Sequence, residues 1–244
     1  MSRNTSILAF YLKNGIYRVI GISLLMAAVE MLLFMTGNRD TVTTFGDYID
    51  ASHIAFVFPA VLLLHFILNS SILGKSSMNR IAAGRLQVTG KQLFRSDVLA
   101  QAAFLLVIYG AQVGILLVLA RLYPGLTSEK VTELSVTIDF MRNSFLHSVL
   151  PLSDLAMTLR NVVSLITLAE IIAVVNLMMR TGEKHLVTVI IPTYLIVMNF
   201  VKGFERDFTQ MMVFTGFVLI FTIVLYALGL SMAGKKEGEG KKDE

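Results

Sequence analysis

The sequence predicts an all-α integral membrane protein of six transmembrane helices with both termini cytoplasmic. Three observations carry this expectation. The chain is 55% hydrophobic and 16% charged, with a mean hydropathy of +0.71, outside the balance of a soluble domain. Several uninterrupted apolar runs reach the ~17 to 25 residues that cross a hydrocarbon core of ~30 Å. Lys and Arg alternate in density from one connecting segment to the next, as the bias against translocating cationic loops requires.

Six spans follow in order: Ile16 to Met35, Ile54 to Leu73, Val98 to Ala120, Asn161 to Met179, Leu186 to Val201 and Met211 to Ala233. No small-residue cleavage site follows the first, so it reads as a retained span and not a removable signal. The fifth is the shortest and carries Pro192, tolerated in a membrane helix where neighbours satisfy the freed carbonyl. A re-entrant hairpin there would leave five crossings and carry the tail outside; the charges favour six. Arg3, Lys13 and Arg18, then Lys75, Arg80, Arg85, Lys91 and Arg95, then Arg180 and Lys184, and finally Lys235, Lys236, Lys241 and Lys242 fall on one side, fourteen of the 21 cations. Residues 1–234 are therefore expected to form the membrane domain, and 235–244, polar and Gly-broken, a disordered cytoplasmic tail.

The longest outer connection, Leu122 to Arg160, places Ile138, Met141, Phe145 and Val149 at helical spacing ahead of Pro151. A short amphipathic helix on the outer membrane surface is the simplest account, and an early start of the fourth span is the alternative. In the third span Gly110 and Gly114 stand one turn apart, which lets another helix approach closely.

Chemistry is sought first among polar residues inside the spans. A mid-membrane carboxylate costs at least ~2.5 kcal/mol, so Glu30 and Glu170 are expected to face the bundle interior or a wet cavity. Their roles are contact with a cationic substrate group or a proton-linked step, against a purely structural hydrogen bond to a neighbouring helix. His65, with Asn69 one turn on, reads foremost as a packing donor. Gln101 and Gln112, eleven residues apart, share nearly the same face of the third span and line an interior. No metal-type His pair and no carboxylate dyad of intramembrane protease type accompanies them. The chain has no cysteine, which excludes thiol catalysis and iron–sulfur clusters.

Leu73 to Asp97 contains Gly-Lys-Ser, the end of a phosphate loop, and five cations. The phosphate loop also needs a glycine five residues before its Lys-preceding glycine and a strand upstream, because backbone amides form the cradle. Asn69 occupies that position and a membrane helix precedes it, so the chain is not expected to hydrolyse ATP. The segment divides instead into two helices. Ser76 or Ser77 caps a short helix with Met78, Ile81, Ala82 and Leu86 on one side and Arg80 toward water. Thr89 and Gln92 match a capping box, which starts the third membrane helix near Gly90 with Lys91 and Arg95 below the bilayer.

This knee resembles the coupling helix of ABC-2 type (type V) permeases, the membrane subunits of ATP-binding-cassette exporters. Such permeases follow it with a Leu-Pro-Val/Ile-Ser-Arg-like step; here Leu86, Gln87, Val88, Thr89, Gly90 and Lys91 stand there, with Gln87 for the proline and Gly90 for the arginine. Size and layout are similar to permeases of the lantibiotic-immunity type. The resemblance implies an exporter subunit in a bacterial plasma membrane, moving an amphipathic or hydrophobic substrate such as an antimicrobial peptide, drug or lipid. It implies two permease subunits, the same or sibling chains. Each docks Met78, Arg80, Ile81, Arg85, Leu86 and Lys91 into a separate ATPase subunit, which holds the ATP and Mg. Glu30, His65, Gln101, Gln112 and Glu170 are then the candidate substrate pathway. The chain itself binds no cofactor in this reading, and the basic balance is a loop property and no sign of nucleic acid. Two other readings remain: a non-transporting scaffold or sensor that anchors a cytoplasmic partner, and an intramembrane enzyme using Glu30, His65 or Glu170.

Overall fold

The computed structural model describes residues 3–37, 44–70, 89–126, 132–152, 154–181, 187–202 and 208–239. All regular structure among them is helical. In chain order the helices are α1 (Arg3–Thr36), α2 (Phe45–Ala51), a 3-10 turn (Ile54–Phe56) leading into α3 (Val57–Asn69), α4 (Gly90–Leu122), a second 3-10 turn (Tyr123–Gly125), α5 (Glu133–Arg142), α6 (Ser144–Val149), α7 (Leu155–Thr181), α8 (Val187–Lys202) and α9 (Phe208–Glu239). Four stretches are long and apolar enough to cross a membrane: Leu8–Thr36, Gly90–Gly125, Leu155–Met179 and Thr209–Gly234. A fifth is added if α2 and the helix beginning at Ile54, bent by 65° at Ser52 and His53, make one broken span. The chain is therefore a membrane-embedded helical protein.

Its burial pattern is that of a bundle in lipid. On α1 the buried positions Gly15, Val19, Ile22, Met26, Glu30 and Phe34 recur every three or four residues, the stripe of a packed helix. Beyond Arg18 the rest of its surface is largely apolar yet exposed, with Leu24 at 65% and Leu32 at 62%, because the solvent there is hydrocarbon. α4 is the central helix: α1, α6, α7 and α9 all pack on it. A Cβ at Gly15 would run into the Phe104 ring, so the missing side chain is what lets α1 reach α4. α7 is the most enclosed, lying against α4, α8 and α9.

At one end the helix ends are tied by a small cap. The Tyr48 hydroxyl donates to the Phe34 carbonyl at the close of α1, and Phe45 packs on Tyr123 and Phe140 at ring distances of 5.4 and 5.9 Å. The Phe45 amide donates to Asp139 Oδ2 at 2.9 Å. At the other end Gly90 sits against the Ala233 carbonyl, so a late turn of α9 lies beside the start of α4.

Several expectations are corrected. The single surface helix over 138–149 is two helices, because Asn143 is extended (φ −75, ψ 128), closes α5 and caps α6 by accepting from Leu146 N at 3.0 Å. Ile138 and Met141 remain exposed, whereas Phe145 and Val149 enter the core. The fourth span begins at Leu155, six residues before the expected Asn161 but separate from the helix ending at Val149, with Asp154 Oδ1 accepting from Met157 N. α9 runs to Glu239, and residues 240–244 lie outside the described residues. Gly110 and Gly114 face outward, and a Cβ at either would meet nothing within 4 Å. α8 has 16 residues with Pro192 inside, ~24 Å of helix against a core of ~30 Å.

Candidate functional site

The site is built on one face of α4. Thr89 and Gln92 form a full capping box: Gln92 N donates to Thr89 Oγ1 at 3.3 Å and Thr89 N to Gln92 Oε1 at 3.4 Å. This fixes the helix start and hence the rotation of everything after it. Eleven residues turn an α-helix through almost three whole turns, so Gln101 and Gln112 share a face ~16 Å apart. Both are buried, at 5% and 0% exposure.

Around Gln101 four more side chains join from three helices. Asn69 Nδ2 donates to His65 Nδ1 at 3.1 Å, and His65 Nε2 donates to Gln101 Oε1 at 3.3 Å. Gln101 Nε2 donates to Asp97 Oδ1 at 3.3 Å, and Asn176 Nδ2 from α7 donates to Asp97 Oδ2 at 3.1 Å. Every donor in this line points toward the Asp97 carboxylate, which leaves His65 as the neutral Nε2–H tautomer. α3, α4 and α7 are thereby joined by an interior hydrogen-bonded line that ends on an acid.

The second cluster is smaller. Gln112 Nε2 donates to Glu30 Oε2 at 3.3 Å, tying α4 to α1, and both side chains are fully buried. Glu30 Oε1 and Gln112 Oε1 have no hydrogen-bond partner. Glu170 is also buried, at 4% exposure, but stands apart from both, and its Oε2 lacks a partner. Its neighbour Thr167 shares a hydrogen bond of 2.6 Å with Thr222 of α9.

Of the pathway residues expected from sequence, the fold thus pairs His65 with Gln101 and Glu30 with Gln112, and leaves Glu170 separate. Asp97 and Asn176 were not expected. Asp97 sits just below the first residue of the expected span, where an acid reads as water-facing; its spacing of four from Gln101 was the available signal. Of the coupling residues, Lys91 is exposed in the first turn of α4. Met78, Arg80, Ile81, Arg85 and Leu86 lie outside the described residues. Among the described residues no three His, Asp or Glu side chains gather as a metal-binding group.

The cap carries the acids outside the spans. Burial pushes the Asp139 carboxyl above its usual range, opposed by the amide of Phe45. Burial likewise raises Asp50, opposed by its bond from Asn143 Nδ2 at 2.8 Å.

Compared with protein-family models, curated proteins and solved structures, the chain matches none of them.

Proposed function

We propose that the chain is the membrane-spanning subunit of an ATP-driven exporter of ABC-2 type, crossing a bacterial plasma membrane six times with both termini in the cytoplasm. The observation that carries this reading is the single rigid helix α4. Its capped start follows directly on the cationic segment 75–88. Its interior face holds the polar side chains that bind α1, α3 and α7 together. A push at the capped start of α4 would be delivered along that one helix to Asp97, His65 and Glu30. The six-pass layout is supported by Gly90 beside Ala233 at one end and by Phe58 of α3 beside Phe200 of α8, at a ring distance of 5.3 Å.

The partner in this reading is a separate ATPase carrying ATP and Mg, with a second permease subunit. The substrate is an amphipathic or hydrophobic molecule. Interior acids on α1 and α7 suit one with a cationic group. A non-transporting scaffold or sensor is the second reading. It is favoured by Glu30 and His65 being fully buried and bonded to adjacent helices, as structural groups are.

Purification of a tagged chain in mild detergent separates the two: the exporter reading expects a Walker-type ATPase to be retained, and recovery of this chain alone favours the scaffold. Since the chain lacks cysteine, Lys91→Cys and Leu134→Cys, both at exposed positions, also test the topology, with labelling by an impermeant reagent expected from opposite sides.

A further inference from the structure

Arg160 lies in the second turn of α7 and is the largest fully buried side chain among the described residues, with 1% exposure. Its Nη2 donates to Asn161 Oδ1 at 3.1 Å, while Nε and Nη1 have no hydrogen-bond partner. No carboxylate among the described residues is in ion-pair contact with it; Asp154, the nearest acid along the chain, acts on it only through space, with its Oδ1 taken up as the helix cap. Asn161 is itself fixed: its Nδ2 donates to Ser148 O at 2.7 Å and to Tyr109 Oη at 3.2 Å, and the Tyr109 hydroxyl donates to Val149 O. The guanidinium is therefore held in place by α4 and α6 acting through Asn161. One turn along the same face, the fully buried Ser164 leaves its Oγ without a partner as well.

An arginine stays charged, and a buried guanidinium whose nearest carboxylate is out of contact and whose Nε and Nη1 are unbonded is costly, so this arrangement calls for an anion in direct contact. Depth narrows its kind. α7 has 27 residues, ~40 Å of helix against a hydrocarbon core of ~30 Å. Arg160 is its sixth residue, ~8 Å from the end, which sets it near the level of phospholipid headgroups. A guanidinium fork matches a tetrahedral oxyanion better than a point cation does.

We propose that Arg160, with Ser164 beside it, binds a phosphate-class oxyanion under α6, supplied by an anionic phospholipid headgroup or by free phosphate. The site stands independently of the exporter reading, since it uses none of the α4 polar face.

Thermal unfolding of the delipidated full-length protein in detergent tests it, with inorganic phosphate titrated at constant ionic strength in one arm and phosphatidylglycerol in the other. Wild type is expected to gain about 5 °C at a hundredfold excess over Kd. A response to phosphatidylglycerol alone assigns the headgroup, and a response to inorganic phosphate assigns the free ion. Arg160→Met is expected to unfold at or above the wild-type temperature without ligand, because an unpaired buried charge has been replaced by an apolar chain, and to respond to neither probe. If that variant does not fold, Arg160→Lys serves: charge without the fork should weaken binding at least tenfold. No shift of wild type with either probe, or an equal shift in Arg160→Met or Arg160→Lys, overturns the proposal.

Discussion

Replacing Gln112 by leucine isolates the contact between α1 and α4. Among the described residues Gln112 Nε2 is the one donor bonded to the Glu30 carboxyl, whose other oxygen has no partner, and both residues are fully buried. The bond itself is worth little, since interhelical hydrogen bonds in membranes average ~0.6 kcal/mol and reach ~1.7. The larger effect is what is left behind. An unpartnered buried acceptor costs ~1 to 3 kcal/mol, partly offset here because Gln112 Oε1 is itself unpartnered and leaves with the side chain. Gln112→Leu should therefore cost about 1 to 2 kcal/mol. Removing Glu30 as well should restore it: Glu30→Leu with Gln112→Leu deletes both polar groups, and matched apolar replacement of a buried pair is near neutral or stabilising. The non-additivity should then be at least ~1 kcal/mol, read from reversible unfolding midpoints in mixed dodecylmaltoside and dodecylsulfate micelles. A double variant no more stable than Gln112→Leu alone would refute the buried pairing.

Thr89→Ala removes the oxygen that accepts from Gln92 N and should cost ~1 kcal/mol, seen as faster amide exchange in the first turn of α4, while Thr89→Ser should retain protection. At the cap, the raised Asp139 carboxyl takes up a proton in the folded protein before it does so in the unfolded chain. Its contribution to stability therefore increases as pH falls from neutral through the folded value and levels off below the ordinary value of 3.8. Protection of the Phe45 amide, corrected for intrinsic exchange, should grow over that window. Asp139→Asn should be near neutral and flatten the profile, and Asp139→Ala should cost ~1 to 2 kcal/mol.

How much of this was legible in the sequence depends on whether the signal was local. The α4 start at Gly90 could be read because a capping box is satisfied by four consecutive residues. The shared face of Gln101 and Gln112 could be read because helical period alone decides it. α2 could not: its seven residues form a helix through Asp139 and Asn143, some ninety residues away, which bond Phe45 N and Gly46 O. The break at Asn143 escaped for the same reason, since an apolar spacing that fits one helix fits two. His53 adopts φ 57, a turn that a β-run or a helix pattern does not announce. Arg160 reads from sequence as the polar end of a loop, and only the packing of α6 over it makes it interior. In the site, Glu30 and His65 were legible as types but not as partners of α4, and Asn176 was not legible at all, because which helix faces Gln101 and Asp97 is set by packing across the whole bundle.

The central claim is that α4 is moved from its cytoplasmic start by an ATPase, and a photocrosslinking residue introduced in place of Arg85 tests it most directly. In native membranes the account predicts a crosslink to a subunit of Walker type, lost when Leu86→Asp is added while α4 still inserts. Crosslinks to lipid or to this chain alone, in membranes where the protein is folded and abundant, would contradict it.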